Sequence, residues 1–290
     1  MESFGIANTE KYRSEYSRLG AALGLPEAAT APSEVEFLAE ITRRNWCGIG
    51  ILTTADVFFA AAVTSILHPP TMIEIGTASG FSAAIFAKTI ALRNDESRAG
   101  GTGPLVQTID KSADFVFDRT KRVGFAIDLI APTLRERIMV HPEHDSSFCR
   151  ELISDRSLRF AFVDGNHRHP WPLIDVLRIQ CLMESGWILL HDVDLPAVVA
   201  RAQAEGQAAD LEPAAGAKHV FDFWPEEKIK AGNIGAVKLP RDRHSLGKLV
   251  AELRELPSEV SPGMQTKQWR EIESLTKEFT RRGWFRSRHP

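Results

Sequence analysis

The sequence predicts an α/β fold with a doubly wound, mostly parallel sheet of seven strands and helical extensions at both ends. First, short apolar runs typical of strands alternate with longer helical patterns through the middle of the chain. Such alternation indicates βαβ units, in which helices cover both faces of a parallel sheet. Second, two strand-like runs joined by a short linker follow, and neighbouring strands joined so closely indicate a C-terminal antiparallel hairpin at the sheet edge.

The elements are predicted in this order. Residues 1–48 contain polar helical segments with a Pro-bearing break at 28–33, and 51–67 is an apolar helical run. Strand-like runs follow at 72–76, 105–110, 138–141, 160–164 and 187–192. Helical patterns separate them at 81–92, 113–130, 146–153 and 172–183. The hairpin strands are predicted at 219–224 and 234–239, and 245–283 is predicted as one or two amphipathic helices.

Composition excludes several classes of protein. A net charge of −3 gives no general reason to expect nucleic acid or an anionic membrane as a partner. The three cysteines, Cys47, Cys149 and Cys181, are too widely separated for a disulfide framework or a Cys-x-x-Cys metal pair. No apolar run approaches the length of a membrane span, and the first residues start no signal peptide. We therefore expect a cytoplasmic protein.

The stretch Thr-Met-Ile-Glu-Ile-Gly-Thr-Ala-Ser-Gly, residues 71–80, predicts a ligand-binding loop. A strand that breaks into a Gly-bearing turn and opens a helix presents bare backbone N–H groups to a polar ligand. Its spacing, Glu74 followed by Gly76 and Gly80, is not the Gly-x-Gly-x-x-Gly fingerprint of dinucleotide-binding folds. A buried acid there would repel a pyrophosphate but could hold a cationic or amine-bearing cofactor.

The second predicted strand ends in Asp110. Ligands of open α/β sheets bind beyond the carboxyl ends of the strands, and an acid there can accept hydrogen bonds from both ribose hydroxyls of a nucleoside. Asp110 lies further past Gly76 than the roughly 20 residues of a tight unit, and a polar, Gly-rich loop at 94–104 accounts for the excess. The alternative is that Asp110 caps the next helix.

The fourth and fifth strands end in acids accompanied by histidines, Asp164 with His167 and Asp192 with His191. These side chains can converge on one side of the sheet edge. Such a set suits an oxygen-preferring cation such as Mg²⁺, which takes one or two carboxylates and keeps its waters. The alternative for Asp164 is a turn-forming Asp-Gly pair.

These motifs carry a resemblance to a known family. The loop at 71–80 resembles the cofactor loop of class I S-adenosylmethionine-dependent methyltransferases. Val-Asp-Gly-Asn-His and Gly-Trp-Ile-Leu-Leu-His-Asp are similar to the metal-dependent catechol-type O-methyltransferases, and closer to a bacterial branch with sugar and macrolide O-methyltransferases. The resemblance covers about residues 50–240 and implies a Rossmann-like fold. We expect a helical extension or lid at 1–48, an S-adenosylmethionine-binding methyltransferase domain at 49–240 and a C-terminal helical extension at 241–290.

The resemblance also implies roles in cofactor binding. Asp110 would hold the ribose, while Asp145 and Ser146 stand where the family has an adenine-contacting turn, although Ser146 is equally well placed to cap a helix. The methionine part of the cofactor would be held by Glu74, Gly76, Thr77, Gly80 and Ser82.

In the catechol-type pattern, Asp164 is a metal ligand, and His167 stands where the family has a catalytic lysine. An imidazole titrates near neutrality, so His167 is expected either as the general base or as a supporting or surface residue. Asp192 is the acid of the strand-five pair, but Val193 replaces the amide that follows it in the family.

Because of that departure, we expect one of two arrangements. In the first, His191 or Asp194 supplies the missing ligand, and with His191 the metal set is Asp164, His191 and Asp192. In the second, the site holds no metal. For Asn233, in Gly-Asn-Ile-Gly, a turn role is favoured over a substrate contact.

The predicted activity is methyl transfer from S-adenosylmethionine to a small-molecule hydroxyl, with Mg²⁺ or another divalent cation assisting. The expected partner is the hydroxyl acceptor, not nucleic acid or a membrane, and the chain acts alone or as a homodimer. Two alternatives stay open: a metal-dependent hydroxylase-like or hydrolase enzyme on the same fold, and a non-catalytic binding module.

Overall fold

The computed structural model describes residues 2–25, 30, 32–43, 52–97, 103–153, 156–206, 212–240 and 243–284. The chain divides into two compact units, Met1–Asp145 and Ser146–Pro290, and each is described by itself. Cys47 and residues 98–102 of the predicted loop lie outside the described residues. Cys149 and Cys181 are buried, and neither forms a disulfide within the part of the chain that the structure describes.

The first unit begins with three helices, α1 (Glu2–Ala22), α2 (Pro32–Arg43) and α3 (Thr54–Leu67). Tyr12 and Tyr16 of α1 are fully buried, and Tyr12 packs against Phe58 of α3 with ring centroids 5.5 Å apart. Glu34 of α2 is also fully buried and accepts hydrogen bonds from the hydroxyls of Tyr12 and Ser65. The predicted N-terminal helices are therefore confirmed, and they pack as part of the core of this unit.

The same unit contains β1 (Met72–Ile75), α4 (Phe81–Ser97), β2 (Val106–Asp110) and β3 (Ile138–Pro142). The three strands are parallel in the order β3-β2-β1. All four residues of β1 are buried, as expected of a strand covered on both faces. The loop that follows, residues 76–80, therefore starts from a fully buried strand.

The predicted helix at 113–130 is wrong except for its last turn. Residues 113–126 form turns and bends with an isolated antiparallel bridge between Asp114 and Arg122, followed by α5 (Ile127–Ile130) and a 3-10 helix, Pro132–Arg137. Side chains in this segment bond to nearby backbone: Ser112 accepts the N–H of Asp114, and Asp118 accepts the N–H of Thr120. Such local bonds compete with the helical pattern, which periodicity alone does not reveal.

The second unit contains a 3-10 helix (Ser146–Phe148), α6 (Cys149–Leu152), β4 (Leu158–Val163), α7 (Trp171–Gln180), β5 (Met183–His191) and α8 (Leu195–Ala204). It continues with α9 (Gly216–Phe223), β6 (Lys228–Ala231) and β7 (Ile234–Lys238). β4 and β5 are parallel, β7 is antiparallel to β5 and to β6, and the order is β4-β5-β7-β6. The predicted fold class, a mostly parallel seven-stranded sheet with a C-terminal antiparallel hairpin, is confirmed.

Two of the predicted strands in this unit, at 219–224 and 187–192, differ from the structure. The predicted strand at 219–224 belongs to α9, because Ala217, Val220 and Phe221 are buried at helical spacing. The hairpin's first strand is β6, whose residues alternate between exposed and half-buried and so carry a weak apolar signal. β5 also begins at Met183, earlier than the predicted residue 187, and α7 ends accordingly at Gln180.

The C-terminal segment forms α10 (Arg243–Arg254) and α11 (Pro262–Trp284), which confirms the prediction of amphipathic helices. α11 packs against α7, and Arg178 of α7 forms an ion pair with Glu271 of α11 at 2.6 Å. Among the described residues, no helix is both long enough and apolar enough to cross a membrane. The domain boundaries at 48 and 240 stay predictions.

Candidate active site

The loop after β1 reverses direction through left-handed backbone. Gly76, Ala78 and Gly80 have φ angles of 99°, 45° and 83°, respectively. Glycine adopts this region without steric cost, whereas Ala78 does so at a cost of order 1–3 kcal/mol. The Gly80 N–H donates to the carbonyl of Thr77 at 2.7 Å, and α4 begins at the next residue. The predicted strand–loop–helix arrangement is therefore present.

Gly80 also allows a close approach of two backbone segments. A Cβ at this position would lie 2.7 Å from Cγ1 of Ile127 and 2.9 Å from Cα of Gly124. Gly124 in turn donates its N–H to the carbonyl of Ala78 at 3.0 Å. Residues 113–126, which were predicted as a helix, thus pack against the loop and hydrogen-bond to it. The sequence alone did not indicate this contact.

Glu74 is fully buried at the base of the loop. Its Oε2 accepts a hydrogen bond from the Thr108 hydroxyl at 2.5 Å, and that hydroxyl lies 2.8 Å from the hydroxyl of Thr77. Thr77 is therefore part of the network that orients the acid. Ser82, the remaining residue predicted to bind the methionine part, is buried in the first turn of α4.

Asp110 joins the loop to the end of β2. Its Oδ2 accepts the N–H of Ala78 at 2.9 Å, and its Oδ1 accepts the N–H of Ser112 at 2.8 Å. No helix begins directly after Asp110, since residues 113–126 form turns, so the alternative role as a helix cap is not observed. The carboxylate is half-buried, and each oxygen keeps a lone pair for another donor.

The structure separates the environments of the two residues predicted near adenine. Asp145 is exposed, whereas Ser146 is buried at the start of its 3-10 helix. The Ser146 hydroxyl donates to Asp175 and accepts from Nη1 of Arg178 at 2.7 Å. Ser146 therefore belongs to a buried hydrogen-bond network that joins its 3-10 helix to α7. Its contact with adenine stays a prediction.

The second unit brings together three of the predicted site residues. Asp164, at the end of β4, His167 and Asp192, at the end of β5, each offer a ligand atom, and these atoms lie within 4.8 Å of one another. Nε2 of His167 lies 3.1 Å from Oδ2 of Asp192. We call these three residues the acidic cluster.

His191 lies directly beside the acidic cluster. Its Nδ1 is 3.1 Å from Oδ1 of Asp164 and 3.4 Å from Oδ1 of Asp192, and its side chain is buried. An imidazole nitrogen in that position donates to the carboxylates when it carries the proton. His191 thus contacts both acids, while His167 completes the group of potential metal ligands; the ligand role of His191 stays a prediction.

Asp192 lies in surroundings that shift the pKa of its carboxyl in both directions. Burial raises the pKa of its carboxyl, and nearby Asp164 raises that pKa further, while His191, His167 and Asn233 lower it. Its backbone is also in the left-handed region, with φ 60°. A divalent cation would relieve the repulsion between the two acids, so the donor set of the acidic cluster fits such an ion.

Asn233 is a contact that the sequence reasoning missed. It lies in the turn between β6 and β7, as favoured from sequence, but its side-chain nitrogen also donates to Oδ1 of Asp192 at 2.5 Å. Its side-chain oxygen accepts the N–H of Asp194 at 2.9 Å. Only the strand register could reveal this contact. The pairing of β5 with β7 places His191 opposite Ile234, and this brings the next residue after His191, Asp192, close to the residue before Ile234, Asn233.

The loop that carries His167 is fixed through its backbone. The carbonyl of His167 accepts the N–H of Gly216 at 2.9 Å, and Oε2 of Glu259 accepts the N–H of His169 at 2.5 Å. His169 is buried, and its Nε2 lies 3.0 Å from the carbonyl of Leu253. Burial, with a smaller contribution from His219, lowers the pKa of His169 to about 4. Sequence reasoning missed Glu259, which carries no motif.

The fold is that of a class I methyltransferase. It has a mostly parallel seven-stranded sheet with an antiparallel hairpin, a Gly-bearing loop after the first strand and an acid at the end of the second. Residues 73–193 match a family model described as a methyltransferase domain. This match confirms the predicted S-adenosylmethionine-dependent methyltransferase class. A search of curated proteins returned no match.

Solved structures with a similar fold include an O-methyltransferase from Bacillus cereus in complex with SAH, at 15% identity and a TM-score of 0.45, over 79% of this chain and 99% of that one. The O-methyltransferase TomG from Streptomyces achromogenes, in complex with SAM, has 12% identity and a TM-score of 0.45, over 80% and 97%. SAH-bound PaMTH1 from Podospora anserina has 17% identity and a TM-score of 0.41, over 83% and 86%.

Proposed function

We propose that this protein transfers the methyl group of S-adenosylmethionine to a hydroxyl of a small molecule, with a divalent cation such as Mg²⁺ orienting the acceptor. The observation that carries the proposal is the acidic cluster, Asp164, His167 and Asp192, within a chain that has a methyltransferase domain. Methyl transfer from a sulfonium needs alignment of the acceptor oxygen and removal of its proton. Two acids and an imidazole suit both tasks.

The first unit is proposed to bind the cofactor. Glu74 provides a buried negative charge for the positively charged methionine part, and the left-handed backbone at Gly76 and Gly80 forms the turn that would receive it. Thr77 and Ser82 belong to the same proposed contact set, and Asp145 of the first unit and Ser146 of the second are proposed to contact the adenine. Asp110 is proposed to accept the ribose hydroxyls with the lone pairs that its bonds to the loop leave over.

The second unit is proposed to act on the acceptor. Asp164 and Asp192 would hold the cation, with His191 beside both acids. When bound, the cation supplies Lewis-acid activation of the acceptor hydroxyl. The two carboxylates provide the oxygen ligands that a cation such as Mg²⁺ prefers.

His167 is proposed as the general base. Nε2 of His167 faces Oδ2 of Asp192 at 3.1 Å, so a proton on that nitrogen leaves Nδ1 as the basic atom. In this arrangement Asp192 fixes the tautomer and stabilises the imidazolium that forms when the acceptor loses its proton. The bond from the Gly216 N–H to the His167 carbonyl supports the proposal, because it fixes the backbone that carries the base.

Isothermal titration with S-adenosylmethionine tests the cofactor half of the proposal, with and without Mg²⁺. We expect saturable binding; absence of detectable heat under both conditions would sink the assignment. Release of S-adenosylhomocysteine is then followed across a panel of catechols, phenols and sugars. We expect turnover with a member of the panel and its loss in His167→Ala, whereas equal turnover in that variant would remove His167 from the base role.

A further inference from the structure

We propose that Asn233 is a positioning residue that holds the carboxylate of Asp192 in the geometry needed to bind a cation. The inference rests on the proposed function, because it assumes that Asp192 belongs to the cation site. Asn233 acts through Asp192 and is not itself proposed as a ligand. It comes from the β6–β7 turn and lies 41 positions from Asp192 in the chain.

Asn233 binds three consecutive residues after β5. Its side-chain nitrogen donates to Oδ1 of Asp192 at 2.5 Å, its backbone carbonyl accepts the N–H of Val193 at 3.1 Å, and its side-chain oxygen accepts the N–H of Asp194 at 2.9 Å. A single residue thus fixes the backbone on the C-terminal side of Asp192 together with the side chain of Asp192 itself.

The orientation of the Asn233 amide is determined by these contacts. The backbone N–H of Asp194 can only donate, so the atom that faces it must be the amide oxygen. The amide nitrogen is therefore the atom that faces Asp192. With the opposite orientation, one contact would join two donors and the other two acceptors, so both hydrogen bonds would be lost.

Asp192 needs such support because its surroundings disfavour its conformation. Its φ of 60° is uncommon for a residue with a side chain, and it lies beside the like charge of Asp164. A hydrogen bond from an amide N–H to a carboxylate is charge-assisted and therefore stronger than one between neutral groups. Without the amide donor, Oδ1 of Asp192 would lose one of its hydrogen bonds, and the repulsion from Asp164 would be less opposed.

The chain thereby has an amide beside Asp192 although Val193 follows it in sequence. The register of the hairpin, which pairs His191 with Ile234, brings the preceding Asn233 next to Asp192. Hydrogen-bond partners of metal-binding side chains typically change metal affinity 10–100-fold when they are removed. This range defines the effect expected for Asn233.

The test is a Mn²⁺ titration of the full-length protein, read from the electron paramagnetic resonance signal of the free ion. Asn233→Ala is compared with wild type and with Lys230→Ala, which changes an exposed residue of the same hairpin. Asp192→Asn verifies that the measured binding is at the acidic cluster. We expect 10–100-fold weaker Mn²⁺ binding in Asn233→Ala and unchanged binding in Lys230→Ala.

Amide hydrogen exchange supplies a second readout. In Asn233→Ala, the Asp194 amide should exchange faster because it loses the side-chain acceptor, while the Val193 amide keeps its backbone acceptor and its slow exchange. Fast exchange throughout the unit would mean that the variant has not folded, in which case Asn233→Ser is measured in the same way.

The outcomes separate the two levels of the proposal. If wild type binds Mn²⁺ and Asn233→Ala binds it equally well, Asn233 does not position Asp192 and the inference is overturned alone. If wild type binds no Mn²⁺, or Asp192→Asn binds it as well as wild type, the cation assignment fails and the inference fails with it. Selective weakening in Asn233→Ala supports both.

Discussion

Glu259 and His169, 90 residues apart in the chain, are joined by reciprocal backbone contacts. Oε2 of Glu259 accepts the N–H of His169 at 2.5 Å, and the N–H of Glu259 donates to the carbonyl of His169 at 3.3 Å. The same carboxylate accepts the N–H of Ala215, which precedes α9. A residue between the two C-terminal helices thus fixes the loop that carries His167, so the C-terminal segment is part of the site's support.

Replacing Glu259 with Ala should destabilise the protein by about 2–4 kcal/mol, because two backbone N–H groups lose a charged acceptor. Urea unfolding followed by circular dichroism measures the difference. Glu255→Ala, at an exposed position nearby, serves as the control and should change stability by less than about 0.5 kcal/mol. Equal midpoints for the two variants would show that the Glu259 contacts contribute nothing to stability.

His169 should make the stability of the protein fall as the pH is lowered. Its pKa is about 4 in the folded protein and near 6.5 in the unfolded chain, so between these values the unfolded state binds more protons. Stability contributed by neutral His169 is complete above about pH 6.5 and decreases towards pH 4, by at most about 3 kcal/mol.

The measurement for His169 is urea unfolding at pH 7.5 and pH 5, for wild type and His169→Gln. Glutamine has an amide donor but does not titrate in this range. The free energy of unfolding of His169→Gln should therefore decrease less between the two pH values than that of wild type. The difference between the proteins isolates His169 from carboxylates that also titrate. Parallel losses in both proteins would contradict the prediction.

Gly80→Ala should be strongly destabilising for two separate reasons. The added Cβ would lie 2.7 Å from Ile127 and 2.9 Å from the backbone of Gly124, and φ is 83°. Overpacking and left-handed backbone together cost roughly 2–5 kcal/mol. Gly247→Ala in α10 is the matched control, because its Cβ would meet nothing within 4 Å and alanine favours a helix by about 1 kcal/mol. The melting temperature should therefore fall in Gly80→Ala and rise in Gly247→Ala. An unchanged melting temperature in Gly80→Ala would contradict the prediction.

The sequence predicted what depends on local pattern. Buried β1, the left-handed glycines after it and the acids at the ends of β4 and β5 are all marked by periodicity or by residue type within a few positions. The errors arose where the pattern was ambiguous. Residues 219–224 form a short apolar run that fits a strand or a helix equally well. Residues 113–126 are kept from forming a helix by side chains that hydrogen-bond to nearby backbone.

The residues missed in the site act over long sequence separations. Asn233 reaches Asp192 through the pairing of β5 with β7, and Glu259 reaches His169 through the packing of the C-terminal helices. Neither has a motif of its own. The partners of such residues are determined by strand register and helix packing, which a single sequence does not encode in any short window.

Glu74→Gln should weaken binding of S-adenosylmethionine with little effect on the fold. A glutamine carbonyl can still accept the hydrogen bond of Thr108, but the buried negative charge is lost. A charge-assisted contact is about twice as strong as a neutral one, so we expect about a tenfold higher Kd, equivalent to about 1.4 kcal/mol. Isothermal titration measures it, with exposed Glu36→Gln as the control for charge removal. An unchanged Kd in Glu74→Gln, with the melting temperature also unchanged, would mean that the acid does not hold the cofactor and that its role is to orient Thr77 through Thr108.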